Sequence, residues 1–161
     1  MSDQEITFTG EYPLSLDSQR RVSVPKQWRG DGLKYYLLPG RNGILQLITQ
    51  SYFMDFLKQV RKVSLTNGKI GRALAMLGAS AQEVSCDKQG RISISPKLKK
   101  YASLESEIVM VGAFTHAQIW TKANWEAQDD DTESVLDVID GLFGNSEGGD
   151  FMDLLNNLGS K

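Results

Sequence analysis

The stretch DKQGRISI at residues 87–94 decides the fold, because residues 17–24, DSQRRVSV, repeat its pattern earlier in the chain. Both copies hold Asp, Gln, Arg and Ser at the same places, with a β-branched residue on each side of the serine. Each copy is typical of half a β-hairpin, in which a polar turn leads into a strand of alternating polar and apolar residues. An internal repeat of this kind predicts the architecture before any single residue is interpreted.

The repeat extends beyond the two turns. Residues 15–17 match residues 85–87, and residues 46–49 match residues 118–121 with two positions inserted between the matches. A short hairpin unit cannot bury its apolar face alone. Two copies related by a pseudo-two-fold axis can interleave their hairpins and share one core. We therefore predict an α+β protein in which two pseudo-symmetric units share one core.

The chain divides into four predicted regions: a first repeat at 6–50, a helical insert at 51–79, a second repeat at 80–128, and an acidic, flexible tail at 129–161. Residues 6–9 are predicted to form a short strand. The insert changes to helical periodicity and predicts two amphipathic helices, the second ended by Gly78. A further helix is predicted near Ala123, after the second repeat. The tail holds acidic-apolar clusters that predict two short amphipathic helices, or segments that order only on a partner.

The charge of the chain is divided unevenly. Residues 1–128 carry 17 Lys and Arg against 11 Asp and Glu, whereas residues 129–161 carry one Lys and nine acids. A basic body predicts a polyanionic partner. The alternative is that the acidic tail only keeps the protein soluble.

Composition limits the classes of protein that remain. The single cysteine, Cys86, excludes an internal disulfide. The first residues lack the apolar run of a secretory signal, and no stretch approaches 18 consecutive apolar residues. We therefore expect a cytoplasmic protein with no membrane partner.

The two turns predict a basic surface if they lie on one face of the shared core. The planar fork of arginine can grip a phosphate or the O6/N7 edge of guanine with two hydrogen bonds. An aspartate at the start of a tight turn accepts backbone N–H bonds, and glycine permits a left-handed backbone. A solvated hairpin turn is the alternative for one copy, but its repetition favours a functional surface. The predicted binding residues are Arg20, Arg21, Lys88 and Arg91, and the predicted turn-forming residues are Asp17, Asp87 and Gly90.

The first turn carries Arg20 where the second carries Gly90. If Arg20 follows the same backbone path, it adopts a left-handed conformation that costs roughly 1–2 kcal/mol. Such strain persists where function compensates it, and a phosphate contact would do so. The alternative is that the first turn relaxes to another geometry and leaves Arg20 as a solvated charge.

The sequence resembles the MraZ family of bacterial transcriptional regulators. The pattern Asp-x-Gln-Gly-Arg-Ile-x-Ile-x-Pro at 87–96 and its partner at 17–25 look like the two halves of that family, as do residues 111–114 and 118–120. The resemblance covers about residues 8–128. It implies an AbrB-like swapped-hairpin barrel in each chain and assembly of several chains into a ring.

The resemblance also implies a function. MraZ proteins bind repeated double-stranded DNA elements upstream of the division and cell-wall gene cluster that contains their own gene, which implies association with the nucleoid. The family signature is Asp-x-Lys-Gly-Arg, and its DNA-contacting arginine corresponds to Arg21 and Arg91. This chain departs from the signature at Gln19, Arg20 and Gln89, so its preferred DNA sequence is open.

The sequence also bears on two other classes of protein. An enzyme is not expected, because Cys86 and His116 are the single cysteine and the single histidine, without a catalytic or metal-binding signature. No cofactor, metal or small-molecule substrate is expected. An oligomeric interaction scaffold, or an antitoxin-like protein whose acidic tail binds a partner, is the main alternative. Two complete repeats in one chain favour the regulator.

Overall fold

A computed structural model of the protein describes residues 5–64 and 66–143. The strands are β1 (Glu11–Ser15), β2 (Arg21–Ser23), β3 (Lys34–Pro39), β4 (Leu45–Thr49), β5 (Gln82–Ser85), β6 (Arg91–Ser93), β7 (Glu107–Gly112) and β8 (Ala117–Thr121). The helices are α1 (Gln50–Val60), α2 (Gly68–Ser80), α3 (Pro96–Tyr101), α4 (Lys122–Glu126) and α5 (Thr132–Phe143), with short 3₁₀ turns at Lys26–Trp28 and Arg41–Gly43. Two compact units result, one ending at Glu126 and the other starting at Ala127. No helix of the described residues is both long and apolar enough to cross a bilayer.

The two repeats build their sheets from each other's strands. β1 pairs with β7, β5 with β3, and β4 with β8, which gives an antiparallel sheet in the order β1-β7-β8-β4-β3-β5. β2 and β6 form a separate two-stranded ribbon. The α+β class is confirmed. Neither sheet closes on itself, so the swapped-hairpin barrel stays a prediction.

The strand registers reveal the pseudo-two-fold axis. Val22 stands opposite Ile92 in the ribbon, and Gln46 stands opposite Gln118 in the large sheet. Each of these residues faces its own equivalent in the other repeat. The axis therefore passes through both pairs, in agreement with the sequence alignment of the repeats.

The shared core lies between the ribbon and the large sheet. Both repeats contribute fully buried side chains at equivalent places, such as Trp28 after β2 and Leu98 after β6. The ring of Trp28 packs edge-on against Phe8 and Tyr12, with ring centroids 5.3 and 5.0 Å away. The remaining members of the cluster include Val22, Val24, Tyr35, Leu37, Leu45, Leu47, Ile92, Ile94, Met110 and Ile119. Because the core draws on both halves, neither repeat can bury its apolar face without the other.

Two local predictions need correction. Residues 6–9 do not form a strand of the sheet; they make a single bridge between Phe8 and Phe114, and Gly10 then turns the chain at a φ of 103°. The second insert helix does not end at Gly78. α2 continues to Ser80, and Ala81 is extended because β5 begins directly after it.

The other helices follow their predicted places. The hydroxyl of Thr49 accepts the N–H of Tyr52 at the start of α1, and the side-chain oxygen of Asn67 accepts two N–H groups at the start of α2. α4 begins one residue before the predicted Ala123. α5 corresponds to the first predicted tail helix. The second predicted tail helix lies outside the described residues.

Gly78→Ala tests the corrected end of α2. Nothing lies within 4 Å of a Cβ placed on Gly78, and its backbone is not left-handed. Alanine should therefore stabilise the protein by about 0.5–1 kcal/mol in urea unfolding followed by circular dichroism. Gly71→Ala, in the same helix and equally open, is the matched control. A destabilised Gly78→Ala beside a stabilised Gly71→Ala would mean that the helix ends at Gly78.

Candidate nucleic-acid interface

The first repeated turn is held together by the carboxylate of Asp17. Its Oδ1 accepts the backbone N–H groups of Gln19 and Arg21, at 2.9 and 2.8 Å. Its Oδ2 accepts Nε–H of the Arg21 side chain at 2.8 Å. One aspartate therefore shapes the turn and also fixes the direction of the guanidinium that follows it.

The second turn repeats this arrangement. Asp87 Oδ1 accepts the N–H groups of Gln89 and Arg91, both at 2.9 Å, and Oδ2 accepts Nε–H of Arg91 at 3.0 Å. The two turns are thus equivalent in their hydrogen bonds, although their sequences differ at the second and fourth positions.

Both carboxylates are negatively charged at neutral pH. The backbone N–H of Arg21 is the main cause that holds the pKa of Asp17 below its usual range, and the Arg21 side chain adds to the effect. The backbone N–H of Arg91 lowers the pKa of Asp87 in the same way. Each turn therefore keeps its ion pair across the physiological pH range.

The ribbon places the two arginines on one face. Arg21 stands opposite Ser93, and Arg91 stands opposite Ser23. These four residues alternate with Val22 and Ile92, which are buried in the core, so their side chains point outward. Diagonal neighbours on one face of an antiparallel pair lie about 7–8 Å apart. Arg21 and Arg91 therefore form a pair on the outer face.

The turns themselves lie at opposite ends of the ribbon, because β2 and β6 run antiparallel. Backbone N–H groups of Val24 and Ile94 donate to the carbonyls of Gly90 and Arg20, at 2.9 and 2.8 Å. The ribbon thus spans four residue steps from one turn to the other, about 14 Å at 3.4 Å per residue. Lys88 is exposed in the second turn, where the first turn has a serine.

Arg20 adopts the left-handed backbone, with φ of 60° beside 79° for Gly90. The alternative of a relaxed first turn is therefore wrong. The Arg20 side chain donates Nε–H to the carbonyl of Ile94 at 3.0 Å. This bond across the ribbon offsets part of the backbone strain within the protein itself. It joins residues 74 positions apart, so no local pattern predicts it.

One residue of this surface, Arg29, carries no signal in the sequence. The exposed side chain of Arg29 lies directly against Gly90, since a Cβ on that glycine would clash with Arg29 Nη1. Arg29 follows the 3₁₀ turn Lys26–Trp28 and belongs to no recognisable motif. The glycine of the second turn indicates a left-handed backbone in the sequence, but it does not indicate which residue packs against it.

The structure does not bring Cys86 and His116 together. β5 and β8, next to which they lie, are separated by β3 and β4 in the sheet, which corresponds to about 14 Å at the usual strand spacing. Burial raises the pKa of the Cys86 thiol and lowers that of the His116 imidazole. Among the described residues, no group of three or more His, Cys, Asp or Glu side chains is arranged to hold a metal ion.

Comparison with known proteins identifies the family. Residues 76–137 match the sequence model of a family described as "MraZ protein, putative antitoxin-like". A transcriptional regulator MraZ of Acetivibrio thermocellus is 33% identical over 133 residues, covering 82% of this chain and 93% of the relative. The chain belongs to the MraZ family. A MraZ regulator of Finegoldia magna is 34% identical over 140 residues, covering 84% of this chain and 96% of the relative. A MraZ regulator of Clostridium acetobutylicum is 33% identical over 119 residues, covering 73% and 84%.

The first and the second turn are linked to the MraZ family by different comparisons. The match to the MraZ sequence model includes Asp87 and Arg91 but begins after the first repeat. The relatives match over a length that exceeds the second repeat and the insert together. The equivalence of the first turn rests further on its identical hydrogen bonds.

Asp17 and Asp87 make the stability of the folded protein depend on pH in the acidic range. A carboxylate with a lowered pKa stabilises the folded state above its unfolded pKa, near 3.9, and this contribution is lost as the pH falls through the folded pKa. We expect the urea midpoint to fall on acidification below about pH 4. The double variant Asp17→Asn/Asp87→Asn should show a shallower acid dependence, because it has no charge to lose there. An unchanged pH profile in this variant would contradict the assignment.

Proposed function

We propose that this protein is a sequence-specific DNA-binding transcriptional regulator. The observation that carries the proposal is the pair of aspartate-fixed guanidiniums of Arg21 and Arg91 on the outer face of one ribbon. The relatives are named transcriptional regulators, which supports the same conclusion. The basic balance of residues 1–128 adds a charge suited to a polyanion.

The ribbon has the dimensions for direct readout of DNA. The major groove admits a two-stranded β-ribbon, and it displays the O6 and N7 acceptors of guanine. Arg21 and Arg91 have Nε–H bonded to their aspartates, which leaves the terminal nitrogens of each guanidinium available to a base edge or a phosphate. Lys88 and Arg20, at the two ends of the ribbon, are proposed to contact the phosphate backbone.

The proposed targets are repeated promoter elements upstream of the division and cell-wall gene cluster, including the gene of this protein. A pseudo-two-fold reader suits repeated DNA, because each chain presents two equivalent turns. A regulator of this kind acts in the cytoplasm, at the nucleoid.

Arg21→Ala and Arg91→Ala test the proposal. Loss of a bidentate base contact should weaken specific binding by about 1–3 kcal/mol for each arginine. The measurement is fluorescence anisotropy with a duplex from the promoter upstream of the gene, beside an unrelated duplex. Arg72→Ala, an exposed arginine of α2, removes the same charge and should leave specific binding almost unchanged. Parental affinity in both ribbon variants would contradict the DNA-reading role.

We also propose that several copies assemble into a ring. Neither α1 nor α2 contains a buried residue, and each exposes large apolar side chains, among them Tyr52, Ile70 and Met76. Met76 is 64% exposed, and exposed apolar side chains on helices without buried residues suit an interaction surface. A second copy is the proposed cover for this face.

Light scattering after size exclusion tests the assembly. The parent should elute with a mass well above the 17.9 kDa of one chain. Met76→Glu should reduce that mass, whereas Lys69→Glu, an exposed charge change on the same helix, should not. A parent of monomer mass would rule out the ring.

An antitoxin-like role is the second candidate. The family description includes the term antitoxin-like, and α5 exposes Val138 and Leu142 in an acidic background. The promoter binding experiment separates the two candidates, because an interaction protein without DNA readout would not distinguish the promoter duplex from the unrelated one.

A further inference from the structure

The two turns differ most at their fourth position, which holds Arg20 in the first turn and Gly90 in the second. In the first turn the left-handed residue is Arg20, and its own side chain fills the space beside its backbone. In the second turn the left-handed residue is Gly90, which has no side chain to fill the equivalent space. The guanidinium of Arg29 occupies that space: its Nη1 and Cζ atoms would both clash with a Cβ on Gly90.

The position of Arg29 is fixed by the pairing of the two repeats. The N–H of Val24 donates to the carbonyl of Gly90 at 2.9 Å, which brings the end of β2 beside the second turn. Trp28, fully buried, then anchors the 3₁₀ turn that precedes Arg29. An arginine of the first repeat is thereby carried to the loop of the second.

We propose that Arg29 supplies the second turn with the guanidinium that Arg20 supplies to the first, and that both bind DNA phosphates. The proposal rests on the proposed DNA-binding function and deepens it. Each end of the ribbon then holds two arginines. Arg21 or Arg91 is fixed by an aspartate for base readout, and Arg20 or Arg29 stands beside it as a phosphate contact.

The charges of the surface support this division of roles. Arg21 and Arg91 form ion pairs with Asp17 and Asp87. Within residues 5–64 and 66–143, neither Arg20 nor Arg29 forms an ion pair with a carboxylate. A guanidinium without an anionic partner is the better phosphate ligand, because binding does not require it to give up an existing ion pair.

The spacing suits the two backbones of one duplex. The ribbon is about 14 Å long at 3.4 Å per residue, and the major groove is about 12 Å wide. A ribbon that enters the groove therefore brings its two ends close to the phosphates on opposite walls. A purely structural Arg29, which only covers Gly90, would make no such contact.

The salt dependence of DNA binding tests the proposal. Arg29→Gln and Arg20→Gln should each lower the slope of log K against log salt by about one, and the double variant by about two. Affinities for the promoter duplex and for an unrelated duplex should fall by similar factors, because phosphate contacts carry no sequence information. Arg29→Lys should restore the parental slope. Arg72→Gln is the matched control and should keep it.

A parental slope in Arg29→Gln, or a slope that Arg29→Lys fails to restore, would overturn the proposal. The parent protein provides a measurement that does not depend on how the variants fold. Single methylphosphonates placed along the duplex should lower its slope at phosphates on both strands, and an effect confined to one strand would also overturn the proposal. If Arg21→Ala and Arg91→Ala bind as the parent does, the proposed function fails instead.

Discussion

The pairing of β2 with β6 is the constraint on which the rest of the structure depends. Val22 and Ile92 meet at the pseudo-two-fold axis, bury their side chains in the core, and thereby turn their neighbours outward. The side chains of Arg21 and Arg91 lie on the outer face of the ribbon because Val22 and Ile92 occupy the inner face. Since β1, β3, β4, β5, β7 and β8 also pair across the repeats, the interface and the core form together. A change that loosens the ribbon should weaken both stability and DNA binding.

The sequence alone predicted much of this arrangement. The repeat located both turns, the alternation of residues 91–94 located a half-buried strand, and the change of period after residue 50 located the insert. The left-handed backbone of Arg20 could be anticipated conditionally, because a turn of the same length with the same aspartate favours the same path. These features are local, and short stretches of sequence determine local patterns of hydrogen bonding and burial.

The features that escaped prediction depend on contacts between distant residues. Nothing near Arg29 indicates that its guanidinium lies against Gly90, since the pairing of β2 with the loop before β6 brings the two together. Gly78 is typical of a helix end, but α2 continues past it to Ser80, and β5 begins soon afterwards at Gln82. The residues before Gly10 have the composition of a strand, yet their pairing is limited to one bridge at Phe8. In each case tertiary structure overrides the local signal.

In the proposed function, one ribbon presents two fixed arginines to one DNA duplex. The most direct measurement follows the side-chain Nε–Hε signals of arginine by NMR, during titration with a duplex from the promoter upstream of the gene. Arg21 and Arg91 should give resolved signals in the free protein, because their Nε–H groups are bonded to Asp17 and Asp87. If one ribbon binds one duplex, both signals should shift together and saturate at the same DNA concentration, while that of Arg72 stays in place. Unmoved signals of Arg21 and Arg91 beside a shifted Arg72 would contradict it.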